Sequence, residues 1–210
     1  MSVKPAEVFE SYCCTTSLAK TQMTPMKLFL LGILAGVYIG FGAIFATTAM
    51  TGVAVFGLQK AIGGLVFSVG LILVVVAGAE LFTGNVLLLI PLMEKKVKAS
   101  GFFKNWTIVF IANFVGSLLL AWVFLGPELW RSGNGLSAVG EQALTIANAK
   151  AGLTWGQAFF RGMLCNILVD LAVIMTMAAK STSGKIMAII FPISAFVASG
   201  FEHSIANMYF

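Results

Sequence analysis

Long stretches without charge constrain this chain more than any other feature. From Leu28 to Gln59 there is no Asp, Glu, Lys or Arg, and Ala61 to Ala79 and Asn105 to Pro127 are equally free of charge. Each run can cross the roughly 30 Å hydrocarbon core of a bilayer, which takes about 20 helical residues. Gly156 to Ala179 and Ile186 to Phe201 are two further apolar stretches, so five spans are expected. Overall 59% of the residues are hydrophobic and 10% charged, against about 25% charged in an ordinary soluble domain. Such a chain cannot cover itself with polar surface. Lipid is its solvent, and the expected fold class is an all-α integral membrane protein. The 22 glycines, which weaken soluble helices, allow helices to approach closely in a bilayer.

The net charge of +5 is distributed as topology rather than as a binding face. Lys4, Lys20 and Lys27 precede the first span, Lys95, Lys96, Lys98 and Lys104 lie between the second and third, and Lys180 and Lys185 lie between the fourth and fifth. These are alternate connections on one side, which the positive-inside rule makes cytoplasmic. The opposite connection, Pro127 to Trp155, carries Glu128, Arg131, Glu141 and Lys150 and is neutral. The first 27 residues mix charges with polar residues and contain no apolar core of a signal peptide, so a retained cytoplasmic N-terminus is expected. Residues 1–24 read as an amphipathic interfacial segment with an apolar stripe of Val8, Phe9, Tyr12 and Leu18. Residues 25–210 read as one transmembrane channel domain, with spans near 26–50, 61–93, 105–126, 156–180 and 186–210. Trp106 and Trp155 stand near span ends as interfacial anchors. Cys13, Cys14 and Cys165 read as structural.

The run from Ala61 to Met93 is too long for a single span, since a continuous helix of that length measures about 50 Å. Within it lies Gly78-Ala79-Glu80-Leu81-Phe82-Thr83-Gly84-Asn85. A helix, an irregular loop at membrane depth and a half-helix fit this stretch better. The fifth span ends on the same pattern, Gly200-Phe201-Glu202-His203-Ser204-Ile205-Ala206-Asn207. Both copies obey Gly-x-Glu-x-x-x-x-Asn, and three spans separate them, so the second crosses the membrane in the opposite sense. Matched helix breaks in two inverted halves point to a transport site, because irregular backbone at that depth must face protein or a water-filled cavity.

His203 is the only histidine in the chain and sits beside Glu202 at a break. Its bland reading is a packed core residue; its functional reading is a hydrogen-bond donor to an anion or a proton source within the membrane. Glu80 and Glu202 are expected to brace the loops, with Asn85 and Asn207, by accepting from freed backbone N–H groups. The half-helices that follow point partial positive charge inward. Together these features favour an anion or a neutral acid over a cation.

Glu80-Leu81-Phe82-Thr83 after a long second helix, with Ala198-Ser199-Gly200-Phe201-Glu202-His203-Ser204-Ile205-Ala206-Asn207, resembles the formate/nitrite transporter family, and the resemblance extends over nearly the whole chain. It implies an aquaporin-like inverted repeat with two broken helices, assembled as a homopentamer with one pore per protomer. It also implies conduction of small monovalent anions (formate, nitrite or hydrosulfide) in a cell inner membrane, with no cofactor, no metal and no enzymatic turnover. By motif, Thr83 and His203 face each other at the pore centre. Phe67, Leu71, Leu81, Phe82 and Phe196 form apolar constrictions, and Lys150 and Asn166 belong to a vestibule. Glu80 to Asn85 with Cys165-Asn166 looks closer to the nitrite and hydrosulfide branches than to formate proteins.

Two departures accompany the resemblance. Asp170, four positions after Asn166, is not expected there; pairing with Arg161 or Lys150, or a subunit contact, are the readings open to it. The family continues into a sixth span, whereas this sequence stops at Phe210, and a fragment is the expectation. Two rival classes remain. An aquaporin-type neutral-solute channel predicts Asn-Pro-Ala signatures, which the sequence lacks. A membrane-embedded enzyme using Glu202 and His203 as acid and base has no further histidine or metal-ligand cluster to draw on.

Overall fold

The computed structural model describes residues 3–210. The chain opens with α1 (Pro5–Ser11), one wide helical turn (Tyr12–Thr16) and α2 (Ser17–Gln22), which run on as a nearly continuous helix. Val8 and Tyr12 of the expected apolar stripe are buried, while Phe9 stays exposed. Pro25 then opens α3 (Pro25–Met50) at its first position, where the missing N–H costs nothing, and the Thr24 hydroxyl accepts from the Lys27 N–H.

α4 (Phe56–Leu73) widens by one turn at Val74–Gly78 and stops. A tight helical turn, Gly84–Leu88, and α5 (Leu89–Met93) resume after the break. α6 (Ala99–Leu125) crosses back, and α8 (Trp155–Ala178) and α9 (Thr182–Ala198) follow. After the second break comes the single turn α10 (Ser204–Asn207). Among the described residues four helices, Pro25–Met50, Phe56–Gly78, Ala99–Leu125 and Trp155–Ala178, are long and apolar enough to cross a membrane, and α9 is a shorter apolar helix of 17 residues. The chain is thus a multi-pass, all-α membrane protein.

The neutral connection between α6 and α8 holds more structure than its sequence suggested. A two-residue hairpin, β1 (Arg131–Ser132) against β2 (Gly135–Leu136), leads to α7 (Ala138–Ala151). Ser137 caps α7, and Ala, Glu, Gln and Leu in the following turns supply the helix propensity.

Small residues set the packing. Gly32, Gly36 and Gly40 recur every four positions on one face of α3 and lie directly on Ala112, Asn113 and Leu120 of α6. On the other side of that seam, Gly116 of α6 touches the Ile33 backbone. Gly64 of α4 meets the Ser194 backbone of α9 in the same manner. Lipid tails are as apolar as Leu, so burial alone does not drive helix pairing; close backbone approach with its dispersion contacts does.

The two halves are related by an inverted repeat with its axis between α4 and α9. The Ser68 hydroxyl lies 3.4 Å from the Ile190 carbonyl, and these residues are 122 positions apart. That is also the spacing from Glu80 to Glu202, so each of the two is the other's counterpart. A side chain at Gly116 has no room against the Ile33 carbonyl. Gly116→Val is therefore expected to destabilise the protein by about 1–3 kcal/mol and to lower the unfolding midpoint in detergent. Gly57→Ala, at a position with open space around it, leaves the midpoint unchanged within a few tenths of a kcal/mol.

Candidate functional site

Each break is made by a glycine in the left-handed region, Gly78 at φ 87° and Gly200 at φ 74°. Both are the first residue of the repeated motif. Only glycine turns there without strain, which is how the backbone leaves the helix at the same point in both halves.

Once the helix stops, its peptide groups need partners, and both halves find them in the same way. The Glu80 N–H donates to the Leu31 carbonyl of α3 at 3.2 Å, and the Glu202 N–H donates to the Arg161 carbonyl of α8 at 3.3 Å. In the first half Asn113 of α6 completes the set. Its Oδ1 accepts from the Phe82 N–H at 2.9 Å, and its Nδ2 donates to the Glu80 and Gly32 carbonyls.

The glutamates correct the reading from sequence, because they take charged partners instead of backbone N–H groups. Lys20 of α2 donates to Glu80 at 2.7 Å and to the Asn85 Oδ1 at 3.0 Å. Lys150 of α7 donates to Glu202 at 2.6 Å and to the Asn207 Oδ1 at 2.8 Å. Asn85 also donates to Glu80 and to Asn105, and its carbonyl accepts from the Trp106 indole. The physical reason is burial: Glu80 is 5% exposed, and a carboxylate that deep calls for a cation as well as dipoles. Nearby, burial first, and then the charges of Glu80 and Asp170, push the Tyr12 phenol well above its ordinary value.

Three residues expected elsewhere change place. Trp106 is turned inward against Phe82 and Phe102 instead of anchoring at the interface, whereas Trp155 is exposed at the start of α8. The Phe82 ring packs edge-on against Trp106 and Phe110 and lines neither of the two cavities described below. Asp170 pairs with neither Arg161 nor Lys150; it accepts from Asn166 one turn earlier at 2.8 Å. No disulfide joins the cysteines, all three being free thiols.

Two cavities approach each other from opposite ends. One, of about 450 Å³, is bordered by Lys20, Lys27 and Lys185 at its mouth and by Leu71 and Leu81 at its floor. The other, of about 290 Å³, is bordered by Lys60, Lys150 and Arg161 and reaches Phe67, Phe196 and His203. Phe67 and Phe196 meet edge to face at 5.9 Å, and the His203 ring lies nearly parallel to Phe196 at 5.8 Å. Between the cavities the Thr83 hydroxyl and His203 Nε2 are hydrogen bonded at 2.9 Å, both side chains being buried.

The protonation of the ring follows from its other contact. His203 Nδ1 accepts from the Ala206 N–H at 3.1 Å and so caps the half-helix that follows. Nδ1 therefore carries no hydrogen, Nε2 carries it, and Nε2 donates to the Thr83 oxygen. Asn166 reaches the same centre from α8, donating to the Thr83 carbonyl at 3.3 Å.

Sequence reasoning found both breaks, Lys150 and the Thr83–His203 pair as residues, but not Lys20, Asn105 or Asn113. Lys20 stands five positions before the first residue of α3, as Lys150 does before the first residue of α8, a spacing visible in the sequence. Asn105 and Asn113 lie eight apart, on one face of an otherwise apolar span.

Two matched helix breaks, one in each half and lying between cavities with charged mouths, define a membrane channel or transporter of the inverted-repeat type. The family model described as formate/nitrite transporter matches residues 6–210, and the chain belongs to that family. It is 40% identical over its whole length to the formate channel FocA of Haemophilus influenzae and covers 73% of that protein. Among solved structures it is similar to a pentameric formate channel with formate bound, at 44% identity and TM-score 0.80 over 88% of this chain and 72% of that one. It is also similar to an FNT family ion channel, at 28% identity and TM-score 0.86 over 97% and 81% respectively. These relatives are channels, and two of them are formate channels by name, in contrast to the nitrite and hydrosulfide leaning of the motif.

The buried Lys20–Glu80 pair makes a direct prediction. Lys20→Met leaves Glu80 as an uncompensated buried charge and is expected to cost about 3 kcal/mol. Lys20→Met with Glu80→Gln recovers most of that loss, as read by unfolding midpoints of the detergent-solubilised protein.

Proposed function

We propose that each protomer of a homopentamer forms a pore that carries formate, alone or with a proton, across a cell inner membrane, its N-terminus on the cytoplasmic side. Formate comes from the relatives; hydrosulfide and nitrite, likewise small monovalent anions of weak acids, are the next candidates. The observation that carries the reading is the Thr83–His203 hydrogen bond, set between two cavities whose floors are apolar and whose mouths are cationic.

A bare anion passing Leu71, Leu81, Phe67 and Phe196 loses its hydration with nothing to replace it, a cost of many kcal/mol. The neutral acid does not carry that cost. In this scheme Lys150, with Lys60 and Arg161 beside it, draws the anion into the outer mouth. The anion acquires its proton on approach, crosses as the acid and releases the proton in the opposite cavity. At the centre the solute separates Thr83 from His203 and meets the Nε2–H as donor and the Thr83 hydroxyl as donor or acceptor. His203 Nδ1, committed to the Ala206 N–H, takes no part in transfer. Glu80 with Asn85 and Glu202 with Asn207 brace the two loops through their lysines. Phe67, Leu71, Leu81 and Phe196 exclude hydrated ions.

Uptake of labelled formate into proteoliposomes checks this. Entry is expected to fall steeply as external pH rises from about 5 to about 8, with protons entering alongside formate, because the neutral fraction of a weak acid drops roughly tenfold per unit above its pKa. His203→Ala is expected to lower the rate at least about tenfold, corresponding to the loss of about 1.4 kcal/mol. Formate flux that ignored pH and moved no protons would instead mean that the anion passes charged.

A further inference from the structure

Three cations border the cavity of about 290 Å³ that reaches His203, and they are engaged differently. Lys150 Nζ is committed at short range, donating to Glu202 at 2.6 Å and to Asn207 at 2.8 Å. Lys60 lies over the Phe56 ring, 5.6 Å from its centroid. Arg161, half-buried on α8, enters none of the ion pairs or cation–ring contacts among the described residues. Its backbone is nevertheless fixed, because its carbonyl accepts from the Glu202 N–H at the second break. The cavity thus has a guanidinium rooted beside that break, with planar N–H donors open to what enters.

The repeat shows that this wall is whole and that the guanidinium belongs to one half alone. Neither cavity takes a lining residue from 86–125, the stretch that holds α5 and α6. The two cavities are walled in the same way by opposite halves, so a counterpart of that stretch leaves the lining around Arg161 unchanged. Lys20 and Lys150 are offset by 130 positions, and the same offset carries Arg161 onto Leu31. Leu31 borders the opposite cavity and accepts the matched backbone bond from Glu80. A leucine at one end and an arginine at the other make the cavities unequal: a planar donor meets the solute at one end only.

We propose that Arg161 is a docking residue that sets anion specificity: its guanidinium receives a planar anion with two acceptor oxygens, such as formate or nitrite, through paired N–H···O bonds. An anion with a single heavy atom, such as hydrosulfide or chloride, cannot engage both arms of that fork, whereas the point charge of a lysine attracts all of them alike. Lys150 then supplies field to the cavity and Arg161 the contact. Half-exposure keeps the docking weak and screened by salt, so the anion leaves for the apolar neck at Phe67 and Phe196. A guanidinium does not give up protons in a protein, so Arg161 concentrates the anion and the proton of the neutral acid comes from solvent. The inference rests on the transport reading above and deepens it by naming the residue that selects.

The test separates charge from fork. Uptake of labelled formate into proteoliposomes is measured over formate concentration, with nitrite or chloride as competitor at constant ionic strength, for the parent, Arg161→Leu and Arg161→Lys. Each variant is first shown to be folded by its unfolding midpoint and oligomer size, and Arg161→Gln takes the place of Arg161→Leu if the latter does not fold. Arg161→Leu is expected to raise the half-saturating formate concentration about tenfold, a larger change than in the maximal rate, and to weaken competition by nitrite in step. Arg161→Lys keeps the charge and is expected to lower the preference for nitrite over chloride at least about threefold. An unchanged half-saturation in Arg161→Leu overturns the docking role, and a lysine variant with the parent's anion preference overturns the fork. A second readout needs no transport: the carbon resonance of labelled formate is expected to broaden with the detergent-solubilised parent and not with Arg161→Leu, and equal broadening overturns the inference. If the parent moves no formate, the transport reading fails by itself, and the linewidths still decide the role of Arg161.

Discussion

Two carboxylates, Glu80 buried and Glu202 half-buried, hold this structure in shape. A helix that stops halfway through a bilayer leaves peptide groups with no water to meet, and each such group costs several kcal/mol. Here those groups are met by the Leu31 and Arg161 carbonyls and by Asn113, and the loops that carry them are held by two small clusters, Lys20 with Glu80 and Asn85, and Lys150 with Glu202 and Asn207. Each cluster ties a peripheral helix, α2 or α7, to the loop of one break. The irregular backbone at Thr83 and His203 rests on these ties.

The two clusters are nearly images of each other, but the filter between them is not. Position by position, His203 corresponds to Leu81 and Thr83 to Ile205. One half therefore presents a ring nitrogen where the other presents an isobutyl group. The same duplication that gives two equivalent supports thus delivers one polar contact and one apolar wall on each side of the centre. Support and the central contact are separable in this fold: the glutamates, lysines and asparagines repeat, while the central side chains, Thr83 and His203 against Ile205 and Leu81, diverge.

Much of this was legible in the sequence because the membrane punishes exceptions. A glutamate at the end of a charge-free helix has few innocent explanations, and finding it twice with the same glycine and asparagine was enough to locate both breaks. Side-chain direction was less legible. Phe82 and Trp106 looked like a constriction and an anchor, yet they pack on each other, since an aromatic at either position satisfies apolar surroundings on either side of its backbone. Lys20 was hidden among lysines that obey the positive-inside rule, because a charge serving topology and a charge serving an ion pair look identical in one dimension. Asn113 was hidden as one polar residue in a long apolar helix, and its three hydrogen bonds reach backbone 31 to 81 positions away.

The contact between Ser68 and Ile190 has a different kind of consequence. Away from the axis one copy can change while the other is kept, as Leu81 and His203 have done. At the axis the two images touch. A substitution at either position alters the surroundings of both, so the halves cannot drift independently there, and whatever divergence the rest of the pore has accumulated is hinged on a point where the chain still has to agree with itself.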